Sequence, residues 1–359
     1  MKVGVNLLLS NMNDTQSDYE LWREHMRLAD MVEPLGFDSL WGVEHHFTDY
    51  IISPDILQML SWAAGRTEQI ELGTQVVVMP WHDPLRVAEQ IALLDNLSDG
   101  RYIFGFGRGA ARVEFDGFRV PMNEARGRFV EGAEMVLQAF DSGYAEFDGE
   151  YIKQPRVPLR PAPIKPLRDR AYAAAISPET MGIIARMGVG MLINPQKPWD
   201  TILSELEDYR STFRSEHDRE APPPVAAVFG YCDADAERAE AIATKYMGEY
   251  YASALRHYEF TGDHFSSIKG YEFYDKMSRI MNKVGKEGAG NFFRDLQPWG
   301  TPDQCIEKIM DQQKKIGFDH LTLNFVFAHL PMKDVENSMK LFAQEVLPVI
   351  KQIGVGAPA

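Results

Sequence analysis

Three consecutive ionisable side chains, Glu44, His45 and His46, end the apolar run in LWGVEHHFTDY, residues 40–50. A histidine gives or takes a proton near neutrality because its ordinary pKa is about 6.5, and a positioned carboxylate or imidazole is the usual general acid or base. Adjacent side chains of an extended segment point to opposite sides, so one of the two histidines faces a pocket while the other packs against a neighbour. No metal site is expected: that chemistry needs two or three more converging ligands, and the chain has neither an HExxH sequence nor a cysteine pair at ligand spacing.

A second concentration lies between residues 101 and 128. Arg101, Arg108, Arg112, Arg119, Arg126 and Arg128 stand there against Glu114, Asp116 and Glu124, in a chain whose formal net charge is −15. A local phosphate site is a natural use of such arginines, whose planar fork matches phosphate oxygens. The run FGFGRGA, residues 104–110, formally satisfies the dinucleotide pattern GxGxx(G/A). The following ARVEFDGFRVP does not read as the helix that this fingerprint requires, so the glycines are read as room for a ligand beside Arg108. In ISPET, residues 176–180, Ser177 is a good N-cap and Pro178 suits the first helical position. The free backbone N–H groups of such a helix start bind phosphate, with the Ser177 and Thr180 hydroxyls helping. SSIK, residues 266–269, matches SxxK, but its companion motifs and any GxSxG elbow are missing, so serine catalysis is unsupported.

Short apolar runs alternate with helical patterns, the sign of repeated βα units around a parallel sheet. The strands are expected at Val3–Leu9, Ser39–Val43, Ile70–Val78, Tyr102–Phe106, Ala171–Ile176, Gly190–Ile193, Val225–Tyr231 and Leu321–Phe327. Helices are expected near 18–35, 54–66, 84–97, 125–142, 178–187, 199–215, 235–255 and 302–316, with a closing helix at 334–352. Eight strands in this order fit a (β/α)8 TIM barrel better than an open sheet. Residues 109–124, the proline-rich 153–169 and the long 256–300 read as insertions on one barrel domain, because no independent apolar core flanks them. Catalytic groups of a barrel sit at the C-terminal ends of its strands, which puts Glu44, His45 and His46 at the mouth.

The acidic balance excludes broad binding to nucleic acid or to an anionic membrane, both of which need surplus Lys and Arg. Only Cys232 and Cys305 are present, too few for a disulfide framework, and a reducing cytoplasm is the expected compartment. The opening MKVGVNLLLS lacks the length and cleavage site of a secretory signal and reads as a first buried strand. No run approaches the roughly 18 apolar residues of a membrane helix.

With those positions in hand, the chain resembles the bacterial luciferase-like flavin-dependent monooxygenases, most of all their luciferase α subunits. The likeness runs from MKVGVNLLL through LWGVEHHFTDY, GRYIFGFGRG and WGTPDQCIEKI to SMKLFAQEVLPVIK, and the joining of the EHHFT block to the arginine and glycine block in this order is specific. The resemblance implies a (β/α)8 barrel that binds reduced FMN, with His45 as the catalytic histidine and Arg108, Arg126, Ser177 and Thr180 around the FMN phosphate. It also implies a non-proline cis peptide, Gln75–Val76, beneath the isoalloxazine, and a mobile active-site lid at 256–300, where GKEGAGN (285–291) suits a flexible loop. Glu44, His46 and Glu114 fall beside the reacting groups as substrate or supporting residues. Gly107 stands where luciferase has a reactive cysteine and Glu114 replaces an aspartate, so light emission is not implied.

The activity so implied is a two-component one. A separate NAD(P)H:flavin reductase supplies FMNH2, O2 reacts to a C4a-peroxyflavin, and a small organic substrate is hydroxylated, subjected to Baeyer-Villiger insertion or oxidatively opened. The protein's part is to orient the flavin, exclude water and manage protons. A homodimer through the helices of the second and third βα units is the expected assembly. Two other readings share the barrel: an F420-dependent dehydrogenase or reductase, and a non-catalytic flavin-binding partner subunit, against which the presence of His45 argues.

Overall fold

The computed structural model describes residues 1–260, 262, 264–268 and 271–353, the side chains of 264, 267, 276–278, 280–282 and 284 excepted. Eight short strands form a closed parallel barrel: β1 (Lys2–Leu7), β2 (Ser39–Gly42), β3 (Glu71–Thr74), β4 (Tyr102–Gly107), β5 (Ala171–Ala174), β6 (Gly190–Ile193), β7 (Val225–Phe229) and β8 (His320–Asn324). Each pairs in parallel with the next, and β8 returns to β1 through Lys2↔His320 to Asn6↔Asn324. This is the (β/α)8 barrel expected from the alternation of apolar runs and helical patterns.

Helices surround it for reasons written in their sequences. Helix α1 (Asp18–Val32) starts in a capping box of Ser17 and Glu20 and buries Leu21, His25, Leu28, Ala29 and Val32 along one face. Helices α2 (Ile56–Ala64) and α3 (Pro84–Leu97) are capped by the carboxylates of Asp55 and Asp83, and α3 begins with proline. Then come α4 (Arg112–Phe118), α5 (Ala125–Ser142), α6 (Pro178–Met187), α7 (Trp199–His217), α8 (Ala236–Ile242), α9 (Gly248–His257), α10 (Glu272–Asp295), α11 (Pro302–Ile316), α12 (Met332–Leu341) and α13 (Leu347–Ile350).

Five expectations are corrected. The third strand stops at Thr74 and resumes only as Val77–Val78, with the cis peptide Gln75–Val76 between the two pieces. The fifth and eighth strands end at Ala174 and Asn324, short of the positions expected, and after the fifth Ala175 and Ile176 leave the ladder to line the mouth. A short helix, α4, does follow the glycine run; with no side-chain cap and a glycine at 117, it lacks the usual sequence signals. The proline-rich stretch is partly a strand, Lys153–Pro158, antiparallel to Tyr144–Asp148, a two-stranded edge where proline is tolerated. The GKEGAGN stretch, expected to be a loop, lies within α10, whose backbone leaves helical values at Gly285. Residues 261, 263, 269 and 270 of the expected lid fall outside the described set.

The lower barrel is a dry plug. Trp41, Ile103 and Leu192, from the even-numbered strands, pack together with Val225. Gly73 faces the indole of Trp41, where a Cβ would come within 2.2 Å of the ring. The polar atoms buried there are paired: Trp41 Nε1 donates to Ser39 Oγ at 2.8 Å, and Ser39 Oγ meets His320 Nε2 at 2.7 Å. Burial pulls the His320 pKa down to about 3, so this ring stays neutral. The two cysteines are free and buried, and no helix among the described residues is long and apolar enough to cross a membrane.

Gly105 sets the closeness of β3 and β4, since a Cβ there would lie 1.7 Å from the Thr74 carbonyl oxygen. Backbone cannot move aside as a side chain can. Gly105→Ala is therefore expected to cost at least about 1–3 kcal/mol, the usual range for overpacking, read as a lower urea midpoint; an unchanged midpoint would show that the strands can part freely.

Candidate active site

The upper ends of the strands surround a cavity of about 220 Å³. Its floor is polar where the lower barrel is apolar: Asn6 ends the pairing of β1 with β8, Gln75 follows β3, and Asn324 ends β8. Glu44, His45, Val76, Arg108, Glu114 and Thr180 line the same space, whereas His46, Arg126 and Ser177 do not. Seven of the ten expected site residues, Gln75 among them, are thus brought together from stretches spread over the first half of the chain.

Strand β2 ends at Gly42, yet the next residues keep an alternating direction. Glu44 and His46 turn to one side and bond to each other, Glu44 Oε1 accepting from His46 Nε2 at 3.0 Å. Glu44 also accepts from His82 Nε2 at 2.5 Å and from the Val78 backbone N–H at 2.8 Å. Burial alone would raise this carboxyl's pKa, but those bonds and the charge of His82 outweigh it and hold it below its ordinary value. In return Glu44 raises the pKa of His82 against the opposing effect of burial. Glu44 is therefore an anion fixed in a cage, and it ties the second strand end to the backbone just after the cis peptide.

His45 points the other way, into the cavity. Its Nδ1 lies 2.9 Å from Glu114 Oε1 and its Nε2 3.3 Å from the Tyr258 hydroxyl. Glu114, on α4, also accepts from the His46 backbone N–H at 2.8 Å, and His257 Nε2, at the end of α9, lies 3.4 Å from the same oxygen. Burial pushes the Glu114 pKa up, but His45 and His257, by charge and hydrogen bond, hold it down at about 2. Because the carboxylate is an acceptor only, His45 donates from Nδ1, and its Nε2 is left to accept from Tyr258. Burial keeps the Tyr258 phenol un-ionised, with its pKa well above the ordinary value. Burial also lowers the pKa of His257, and Thr48 Oγ1 lies 2.9 Å from its Nδ1. The group can therefore take up and release a proton at the edge of the cavity.

The phosphate candidates divide. Arg108 is buried, with its guanidinium 4.2 Å from the centre of the Tyr271 ring, and Tyr271 donates to the Gly109 carbonyl at 3.1 Å. Ser177 occupies the N-cap position of α6 but does not cap it; its hydroxyl pairs with Thr180 Oγ1 at 2.8 Å. Arg126 stands outside the cavity, its Nη2 3.8 Å from Glu179 in the first turn of the same helix. The glycines of FGFGRGA divide: Gly107 and Gly109 line the cavity beside Arg108 as expected, a Cβ at Gly107 lying 2.7 Å from Val76, whereas Gly105 is filled by β3 backbone.

Sequence reading missed three groups here. His257 and Tyr258 arrive from the far end of α9 with no motif to mark them. Lys197 had a signal, its place between two prolines just beyond β6. Its ammonium donates to Glu205 at 2.6 and 2.7 Å and to the Ile176 carbonyl, directly behind the start of α6. Burial lowers the Lys197 pKa, with Glu205 opposing.

Residues 1–320 match the family described as luciferase-like monooxygenase. The alkanal monooxygenase α chain of Photorhabdus luminescens is 27% identical over 356 residues, covering 98% of both chains. Among solved structures, the monooxygenase RslO1 of Streptomyces bottropensis superposes with a TM-score of 0.81 at 25% identity, over 98% of this chain and 100% of that one. The oxygenating constituent of 3,6-diketocamphane monooxygenase from Pseudomonas putida, in complex with FMN, shares the fold at a TM-score of 0.74 and 16% identity, over 97% and 98% of the two chains.

The Lys197–Glu205 pair makes a test of how α6 is held. Removing one partner strands a buried charge, which costs about 3–5 kcal/mol, whereas replacing both by apolar groups is often neutral. Lys197→Ala is expected to lower stability by that order, and Lys197→Met with Glu205→Leu to recover most of it in a denaturant double-mutant cycle.

Proposed function

This chain belongs to the luciferase-like monooxygenase family, and from that premise we propose that it is a monooxygenase using reduced FMN and O2 to oxygenate a small organic substrate. The observation that carries the reading is one cavity that joins a proton-handling group, His45 with Glu114 and Tyr258, to unpaired amides on its floor. Asn6 Oδ1, Asn324 Oδ1 and Gln75 Nε2 are buried, line the cavity and have no hydrogen-bond partner among the described residues. Buried polar groups are nearly always paired, so these three call for a polar ligand. A flat ring edge bearing an N–H beside a carbonyl, as flavin has, meets part of that need: its N–H donates to an asparagine oxygen and its carbonyl accepts from Gln75 Nε2, whose Oε1 is held by Thr322.

In this reading Gln75 and Val76, at the cis peptide, support the ring, while Arg108 and Thr180 hold the phosphate. Ser177 orients the Thr180 hydroxyl, and Arg126 adds positive charge at the same helix start. Reduced FMN supplies two electrons, so that one atom of O2 enters the substrate and the other leaves as water. His45 gives or takes the proton at its Nε2, Glu114 fixes the ring, and the caged Glu44 and His46 hold the strand end beneath it. The aromatic wall of Trp81, Tyr50, Tyr250, Tyr258 and Phe229 favours an apolar or ring-bearing substrate and keeps water out.

A separate NAD(P)H:flavin reductase delivers the reduced flavin, the segment 256–300 acts as the lid, and two chains associate. Support for a homodimer comes from Trp62 on α2 and Leu93 and Leu97 on α3, large apolar side chains left exposed on neighbouring helices. Leu93→Glu with Leu97→Glu is then expected to give a monomer in sedimentation velocity, and an unchanged mass would move the interface elsewhere.

The deciding experiment incubates the protein with chemically reduced FMN, O2 and a panel of aldehydes, cyclic ketones, terpenoids and heteroaromatics, and reads product mass for one added oxygen. An anaerobic titration with FMNH2 and with reduced F420 accompanies it; binding of F420 alone would transfer the site to hydride chemistry. His45→Ala is expected to bind reduced flavin normally yet lose product by about 100-fold or more, the scale of a lost general acid or base. Arg108→Ala should weaken FMNH2 at least about tenfold, since a charge-assisted contact is worth roughly 1.5–3 kcal/mol.

A further inference from the structure

One ligand atom from each of His45, Glu114 and His257 lies within 4.8 Å of the other two. The geometry points to a latent site for a Zn²⁺-class divalent cation at these residues, and a metal bound there would switch the enzyme off. Two imidazoles and one carboxylate around an open position form a familiar donor set for first-row metals. Ligands about 2.0–2.1 Å from a tetrahedral zinc stand roughly 3.3 Å apart. The Glu114 Oε1 separations of 2.9 Å to His45 Nδ1 and 3.4 Å to His257 Nε2 bracket that value. The remaining separation, between the two ring nitrogens, is no more than 4.8 Å.

A second observation concerns the far side of each ring. A metal at His45 Nδ1 requires the proton to move to Nε2, and a metal at His257 Nε2 requires it at Nδ1. The far nitrogens meet the Tyr258 hydroxyl at 3.3 Å and Thr48 Oγ1 at 2.9 Å. A hydroxyl donates or accepts as needed, so both rings can exchange tautomers without losing a partner, and the same hydroxyls then orient the metal-bound rings. Glu114 contributes a third observation: its Oε2 is buried without a partner among the described residues, although its Oε1 is shared three ways. A cation would engage that oxygen, and the cavity that His45 and Glu114 line leaves a coordination position for water. Sequence spacing could not show this set, because its members come from the loop after β2, from α4 and from the end of α9.

Binding does not depend on the oxygenase reading; only its inhibitory effect does, through the role given to His45. The test titrates flavin-free protein with Zn²⁺ in a non-chelating buffer. One ion per chain is expected, bound at least 100-fold more tightly by the wild type than by His257→Gln or Glu114→Gln. His329→Gln serves as a control, because His329 faces Glu249 at 3.5 Å as an isolated pair, and its affinity should match the wild type. Co²⁺ bound to the unaltered protein should show the strong visible bands of a four-coordinate ion, a readout that needs no variant to fold. Equal affinity in wild type and His257→Gln, or only the weak bands of six-coordinate Co²⁺, would overturn the site. Zn²⁺ binding that leaves turnover intact would keep the site and overturn its inhibitory role together with the part assigned to His45.

Discussion

The mouth of this barrel is organised by one buried anion. The Glu114 carboxylate has left water almost completely, a costly transfer unless several hydrogen bonds replace its hydration. Two come from the loop after β2, the His46 backbone and the His45 ring, and His257 at the end of α9 adds a contact at 3.4 Å. None of these segments is next to another in sequence, and α4 itself has no side-chain cap to define it. The carboxylate therefore orders the loop, fixes the proton on one nitrogen of His45 and brings the Tyr258 hydroxyl to the other.

A division of labour along the barrel axis follows. Below, Trp41 and its neighbours fill the interior, with a glycine opposite the indole and Ser39, Trp41 and His320 bonded to one another, as suits a plug. Above, Asn6, Gln75 and Asn324 leave polar atoms unpaired. The same strands supply both layers, so a step of a few residues along β1 or β8 crosses from the part that stabilises the fold to the part that receives a ligand. Glu44 joins the two, since its cage holds the end of β2 against the backbone after the cis peptide.

The barrel was legible because helix caps and apolar runs are local signals. Ser17 with Glu20, Asp83 before Pro84 and Thr301 before Pro302 mark helix starts on their own. Alternation, a property of adjacent residues, likewise separated His45 from His46, while the choice of His45 as the one facing the pocket came from the family resemblance. Contacts between distant segments carry no such mark. Nothing near Glu114 announces two histidines as partners, and His257 gives no sign of Thr48. The glycine run shows a partial failure of the opposite kind: Gly107 and Gly109 do line the cavity, but Gly105 is filled by the neighbouring strand, a fact about packing between β3 and β4.

Arg108 and the aromatic start of α10 form a single thermodynamic unit. The guanidinium lies over Tyr271, with the Tyr274 ring centre 5.9 Å away, and such contacts contribute about 0.5–2 kcal/mol depending on their exposure to water. An anion that draws this arginine out of the stack must overcome that sum, and by reciprocity any change in the rings returns as a change in anion affinity of about 2- to 30-fold. Affinity measured at Arg108 thus weighs a helix start far along the chain together with the anion.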